Sequence, residues 1–305
     1  MKNFKFISLI FLLLVLACNK DEEILIDMPD NGDPEDIINE FIVIEYVPAP
    51  GQFINDPLSG FEDIKNQEEA CSYAQSRLNG LNYVSLGAWG GYIVVKSKNP
   101  IENKGGYDFS IGGNAFDTSN EPGIVWVMED SNKNGIPDEI WYELKGSAYN
   151  KEGYEKNFWV TYYRNDDKND IKWIDKNGNE GTVPWVGTVH KQPNYYPSWI
   201  TTGDYTLYGS KLPTKAIRLP GSGIWSNEAF EWGYADNSGE DSAIVEIGRR
   251  TIQKNFFSIS DAVDNYGKAV CLETIDFIKV QTGVLNNIDI LGENSTEVCG
   301  FFIEN

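Results

Sequence analysis

Residues 130–139 read Asp-Ser-Asn-Lys-Asn-Gly-Ile-Pro-Asp-Glu and set oxygen-bearing side chains at alternate positions around a glycine. Asp130, Asn132, Asn134 and Asp138 can converge on one point where Gly135 permits the bend, the carbonyl of Ile136 can add an oxygen, and Glu139 can supply a further carboxylate. Calcium takes hard oxygens arranged in this way. The twelfth loop position is Trp141 instead of the glutamate of an EF-hand, and no helical pattern precedes the loop. The expectation is a calcium-loop analogue with a structural role, holding a strand on each side. The same residues can instead close a dry turn with Asx hydrogen bonds. Residues 175–180 and 236–241 look similar but are shorter, and read as hairpin turns.

A second kind of chemistry lies in flat rings placed beside amides. Residues 190–199 carry His190, Gln192, Tyr195, Tyr196 and Trp199 between two prolines, and residues 225–237 carry Trp225, Trp232 and Tyr234. Rings on a stiff loop can stack on a flat ligand while polar neighbours fix its orientation. The competing reading places each ring in the core of a large β-sandwich. Glu228 and Glu231 are a nominal carboxylate pair for glycoside hydrolysis. On one extended strand, residues three apart point to opposite faces, which is wrong for an acid and base flanking one bond.

Composition removes other classes. His190 is the single histidine, so a site needing two imidazoles is excluded within one chain. No Gly-x-Ser-x-Gly elbow and no P-loop occurs. A net charge of −21 argues against nucleic acid, whose phosphates require clustered Lys and Arg. Beyond Cys18 there are Cys71, Cys271 and Cys299, without the spacing of a zinc site; Cys271 and Cys299 can pair or remain buried thiols.

The elements that must position these groups are mostly strands. Short β-type segments at 92–95, 107–111, 123–128, 158–163, 206–208, 256–259 and 275–280 are punctuated by Gly, Asn, Asp and Pro. One long helix is expected from Ser59, with Ser59 and Glu62 at capping-box spacing, apolar positions at Phe61, Ile64, Cys71, Ala74 and Leu78, and closure at Gly80. The expected fold is mainly β: an antiparallel sandwich of jelly-roll type with one N-terminal amphipathic helix and long loops.

The start of the chain addresses it. Lys2 and Lys5 precede an apolar run that ends in Val-Leu-Ala before Cys18, the pattern of a lipoprotein signal peptide over 1–17. That run is too short to cross a bilayer as a helix. Residues 18–50 read as a lipidated Cys18 and an acidic tether with an apolar interruption at 41–47, and 51–305 as a single β-sandwich ligand-binding domain. The Asn-Lys-Asp-Glu-Glu directly after Cys18 resembles the tag that sends lipoproteins of the Bacteroidetes to the outer face of the outer membrane. A periplasm-facing lipoprotein is the alternative.

Several landmarks carry a wider resemblance: Tyr-Asp-Phe-Ser-Ile-Gly-Gly-Asn-Ala-Phe at 107–116, the loop at 130–141, Val-Thr-Tyr-Tyr-Arg at 160–164, and segments 190–199, 232–237, 275–284 and 291–298. Together they resemble the Bacteroidetes-type "cell surface protein" lipoproteins that accompany outer-membrane uptake of cobamides such as vitamin B12. The resemblance implies a non-enzymatic accessory that captures its ligand outside the cell for an outer-membrane transporter, with the rings at 190–199 and 225–234 as the grip. A calcium-stabilised glycan-binding sandwich and a glycoside hydrolase are the rival expectations.

Overall fold

The computed structural model describes residues 40–165, 168–188, 190–221, 225–286 and 292–304. The signal peptide at 1–17, Cys18 and the outer tether lie outside the described residues. Among those described, no helix is long and apolar enough to cross a membrane.

Among the described residues the fold is mainly β, with several antiparallel sheets and one α-helix. The first strand, β1 (Phe41–Val47), occupies the stretch expected as an interruption of the tether. Its alternating apolar residues place Phe41 and Val43 in the core, and an irregularity between Val43 and Glu45 shifts the register so that Tyr46 is buried as well. As an edge strand, β1 needs cover. The helix α1 (Gln67–Asn79) provides it: Ala70, Ala74 and Leu78 form its buried stripe, and Gln75 Oε1 accepts from Val43 N at 2.7 Å.

The helix therefore comes after a strand and is not the first element of the fold. It also begins later than the sequence pattern suggests. Asp63 takes a left-handed φ of +46°, and the cap that forms is at Asn66, whose side chain accepts from Glu69 N at 2.9 Å. Glu69 Oε2 in turn accepts from Lys65 N. Ser59 ends a short 3-10 turn instead (Pro57–Ser59), while Phe61 and Ile64 are buried without being helical.

All seven expected strands are present, most of them longer. In chain order the elements through the middle are β2 (Val84–Ser85), β3 (Tyr92–Glu102), β4 (Phe109–Gly113), β5 (Gly123–Met128), β6 (Tyr142–Leu144), β7 (Glu155–Tyr163), β8 (Ile171–Asp175), β9 (Glu180–Val183) and β10 (Asp204–Lys211). The remainder are β11 (Ala216–Arg218), β12 (Trp225–Asn227), β13 (Ser242–Ile247), β14 (Arg250–Phe257), β15 (Ala262–Val263), β16 (Thr274–Thr282), β17 (Glu297–Val298) and β18 (Gly300–Ile303). A six-stranded sheet runs β1-β3-β16-β5-β6-β15 and a four-stranded one β13-β14-β4-β18. Both contribute to one core, with Ile93, Val95, Val125, Ile278 and Val280 from the first and Phe109, Ile111, Phe257 and Phe301 from the second.

Another four-stranded sheet, β10-β7-β8-β9, encloses its own cluster around Trp89, Phe158, Val160 and Tyr162. Its β8–β9 connection is the hairpin turn expected at 175–180, with Asp175 Oδ1 accepting from the amides of Asn177 and Asn179. Cys71, Cys271 and Cys299 are free thiols. Burial pushes the Cys299 thiol up to about 12, which makes it unreactive at neutral pH.

Candidate functional site

The ring-bearing segment 190–199 is folded against residues 52–64. Pro193 and Pro197 remove backbone donors, so side-chain amides do much of the joining, beside a backbone bond from Gly51 N to the Tyr195 carbonyl. Asn55 Nδ2 donates to the carbonyls of Asn194 and Tyr196 at 3.0 and 2.7 Å, and Gln192 Nε2 donates to those of Gln52 and Ile54. His190 Nδ1 lies 2.6 Å from Asp56 Oδ2, and its ring packs edge-on against Phe53.

The rings are consequently spent on packing. Tyr195 and Tyr196 are buried, their hydroxyls donating to the carbonyls of His190 and Thr202. Trp199 is 7% exposed and packs on Phe61 and Tyr46, each with ring centroids 6.0 Å away. Tyr234 is also buried, its hydroxyl accepting from Ala148 N. In this arrangement none of these four rings has a free face for a ligand.

Of the eight predicted ligand-binding residues, His190, Trp225 and Trp232 are half-buried. Trp225 lies on β12. Trp232 lines a hollow of about 110 Å³ with Tyr107, Phe256, Lys145, Asp241 and Asp261. The structure thus divides the set: His190 to Trp199 form one packed unit, and the second cluster lies elsewhere.

A larger hollow is an open groove of about 460 Å³ lined by Ala115, Phe116, Asp117, Ser238, Ser242, Ala243, Ile244 and Gln253. Glu228 and Glu231 are exposed and line neither hollow. Phe116 is 56% and Ile244 67% exposed, so apolar surface faces solvent on both the 115–117 and 243–244 sides of the groove. The polar side chains of the lining are Asp117, Ser238, Ser242 and Gln253. The hydroxyls of Ser238 and Ser242 already donate to Asn120 Oδ1 and the carbonyl of Gly239. Gln253 donates through Nε2 to Asn237 O and Asn255 Oδ1, while its Oε1 is buried with no hydrogen-bond partner.

Behind this groove the segment 236–241, expected as a hairpin turn, folds inward. Asp236 takes a φ of +52° and is fully buried, as is Asn237, whose side chain exchanges hydrogen bonds with the backbone of Phe230. Asp236 Oδ1 accepts from Asn114 N and Oδ2 from Glu297 N, both at 3.0 Å. Asp236 thereby joins the end of β4 to β17. Carboxylate oxygens of Glu121, Asp236 and Glu297 lie within 4.8 Å of one another, a cluster capable of coordinating a metal ion.

Burial dominates the electrostatics there. It raises Asp236 to about 7 and Glu121 to about 8, the latter with repulsion from Asp236, while backbone amides pull both partly back. Glu297 is pushed well above the carboxylate range, first by burial and then by the charges of Glu121 and Asp236.

The 130–139 loop lies between β5 and β6, as expected. Asp130 accepts from the amides of Asn134 and Gly135 and pairs with Lys96 at 3.1 Å. Burial works against its charge, but the Lys96 hydrogen bond and the two amides outweigh it and hold the carboxyl below its ordinary range. Asn132 and Asn134 accept from the amides of Asn134 and Ile136, the Asx pattern, and both donate through Nδ2 to Asp138. The Ile136 carbonyl accepts from Asp138 N, and Glu139 Oε1 from Asn132 N. Glu139 Oε2 is buried without a partner, and the loop's carboxylates are not gathered within 4.8 Å of one another as those of Glu121, Asp236 and Glu297 are.

Phe116, Ile244, Gln253, Glu121 and Glu297 are not among the site residues that sequence reasoning singles out. Of these, Phe116 and Glu297 carry a signal, since they lie in the 107–116 and 291–298 landmarks. Comparison of the chain with protein-family models and with curated proteins gives no match.

Proposed function

We propose that the chain is a non-enzymatic, lipid-anchored surface protein that captures a small ligand, with a cobamide the favoured cargo, for an outer-membrane transporter. The observation that carries the reading is the groove at Phe116 and Ile244: exposed apolar surface on two sides, with the exposed Asp117 carboxylate and the Ser238 and Ser242 side chains in the lining. Such a surface suits a flat ligand fringed with N–H donors, and a corrin carries amides around its rim. An open groove can hold one edge of a ligand larger than itself. Ala115 and Phe116 belong to the landmark segment on which the family resemblance rests. The scaffold reads as a sandwich of jelly-roll kind, supported by the core shared between its six- and four-stranded sheets.

Calorimetric titration with cyanocobalamin tests the reading. Saturable binding is expected, weakened about tenfold by Phe116→Ala, with unchanged melting because the ring is largely exposed. No heat with the corrinoid, or equal affinity in a folded Phe116→Ala protein, would reject the groove as its site.

One observation favours a second reading. The smaller hollow sets Trp232 and Tyr107 beside Lys145, Asp241 and Asp261, a ring-and-charge arrangement that fits a sugar. Binding from a glycan panel that is lost in Trp232→Ala, without a corrinoid signal, would make this the function.

Calcium in the 130–139 loop is the structural part of the proposal, with Asp130, Asp138 and Glu139 as carboxylate donors and Asn132 and Asn134 as side-chain oxygens. Its role is to tie β5 to β6. Asp130→Ala is expected to bind less calcium and to melt lower, since two loop amides and Lys96 lose their acceptor. Wild-type calcium binding undiminished by this change would place the ion elsewhere.

A further inference from the structure

Three carboxyl groups gathered in the interior need protons or a cation to offset their charge. Glu121, Asp236 and Glu297 bring oxygens within 4.8 Å of one another, and two of the three residues are more than nine-tenths buried, with Glu121 half-buried. Among the described residues no Lys or Arg forms an ion pair with any of them. Like charges so placed cannot all remain ionised without a counter-charge.

The hydrogen bonds within the cluster leave its pairing incomplete. Asp236 has both oxygens occupied by backbone amides. Glu121 Oε1 accepts from Ser295 N at 3.0 Å. Glu297 is 6% exposed; Oε2 has a long contact with Asn114 Nδ2 at 3.4 Å, the Ser295 side chain also acts on the carboxyl, and Oε1 is buried with no hydrogen-bond partner. Its carboxyl group is turned against that of Glu121. An acceptor buried without a donor, facing a second carboxylate, is a costly arrangement unless something positive sits between them.

We propose that Glu121, Asp236 and Glu297 bind a hard divalent cation, calcium in the first instance, at a site separate from the 130–139 loop. The spacing agrees with the ion. Calcium–oxygen bonds put ligands on opposite sides of the ion roughly 4.6–5.2 Å apart, and the three carboxylate oxygens fit inside that span. The ion bolts together three stretches remote in sequence: the connection that leaves β4 and reaches Glu121, the inward-folded 236–241 segment, and the strand β17. Ala115, Phe116 and Ser238 project from the first two of these stretches, so the cation stiffens the rear of the groove whatever the groove holds.

Equilibrium dialysis of the full chain in detergent against calcium tests the site by counting bound ions. Glu297→Gln is expected to bind one calcium fewer than wild type, and Asp130→Ala combined with Glu297→Gln fewer than either alone. Glu121→Gln, on the half-buried member, should reproduce the loss should Glu297→Gln fail to fold. A Glu297→Gln protein that folds and binds as much calcium as wild type overturns the proposal. So does a wild type whose bound calcium is removed entirely by Asp130→Ala. The alternative that such results would establish is a proton shared between Glu121 and Glu297. The loop contributes equally to wild type and Glu297→Gln, so its own success or failure does not alter the difference.

Discussion

Trp199→Ala is expected to destabilise the protein by about 3–5 kcal/mol, the range for removing a large buried aromatic side chain, while leaving ligand affinity of the folded fraction unchanged. The ring belongs to a stack in which Phe61 lies between Tyr73, at 4.1 Å, and Trp199, at 6.0 Å, with Tyr46 touching both Tyr73 and Trp199. That stack fastens the 190–199 segment to β1 and α1. Without the indole, Tyr46 and Phe61 line a cavity that the surrounding sheet and helix can only partly close. The proline-rich segment is also held by the buried Tyr195 and Tyr196 rings, in the cluster with Phe158 and Tyr162, and by polar bonds from the side-chain amides of Asn55 and Gln192 and from the Ser198 hydroxyl to the Ile64 carbonyl. Denaturant unfolding measures the loss. A Trp199→Ala protein of wild-type stability with weakened ligand binding would show that this ring is a contact and not a fastener.

Raising the pH from 5 to 8 in the presence of chelator should lower stability, and Glu293→Gln should remove about 2.5 kcal/mol from that fall. Glu293 is 3% exposed; its Oε1 accepts from Gln52 N at 2.7 Å and its Oε2 has no partner. Burial raises its carboxyl from 4.5 to about 7, with the Gln52 amide pulling the other way. In the folded protein the group keeps its proton up to about 7, whereas in the unfolded chain it loses it near 4.5. The folded state therefore binds the extra proton between those values, and stability is highest at the acid end and declines through neutrality. Glu121 and Asp236 are displaced in the same direction and add to the wild-type slope, while Tyr162 and Tyr195, which feel the Glu293 charge, titrate far above this window. The comparison is therefore of slopes, since glutamine brings an unpaired amide that shifts the curve without tilting it. Parallel wild-type and Glu293→Gln curves between pH 5 and 8 would remove Glu293 from the account.

Legibility in the sequence differs by element. Apolar runs bounded by turn residues identify the strands because burial on a pleated surface is a local, periodic demand, as in β5 and β16. β1 reads as an interruption of the tether because its neighbours on the N-terminal side are acidic and its partner, β3, is about fifty residues away in the chain. The helix is expected too early because Ser59 and Glu62 imitate a cap, and the left-handed Asp63 that separates them from the true cap at Asn66 leaves no trace in composition. Similarly, residue type alone allows Tyr195, Tyr196 and Trp199 to be either exposed or buried. Asn55, remote in sequence, is what binds them down.

The groove and the carboxylate cluster are less legible still. Glu297 stands between the polar run Glu293 to Thr296 and the apolar Val298 and Cys299, and nothing local marks it as the partner of Glu121 and Asp236, which come from 176 and 61 positions earlier in the chain. Segment 236–241 has the composition of a solvent-facing turn, yet Asp236, Asn237 and Asp241 point inward because backbone amides of Asn114, Phe230, Gly233 and Glu297 need acceptors there. Such demands arise only once the sheets have met.

Hydrogen exchange with and without cyanocobalamin tests the central claim most directly, because it reports which backbone segments a bound ligand protects. The account predicts new protection across 114–118 and 238–245, on the two sides of the groove, and no change across 190–199, already sealed by packing. Protection concentrated in 190–199, or none anywhere at saturating corrinoid, would contradict it.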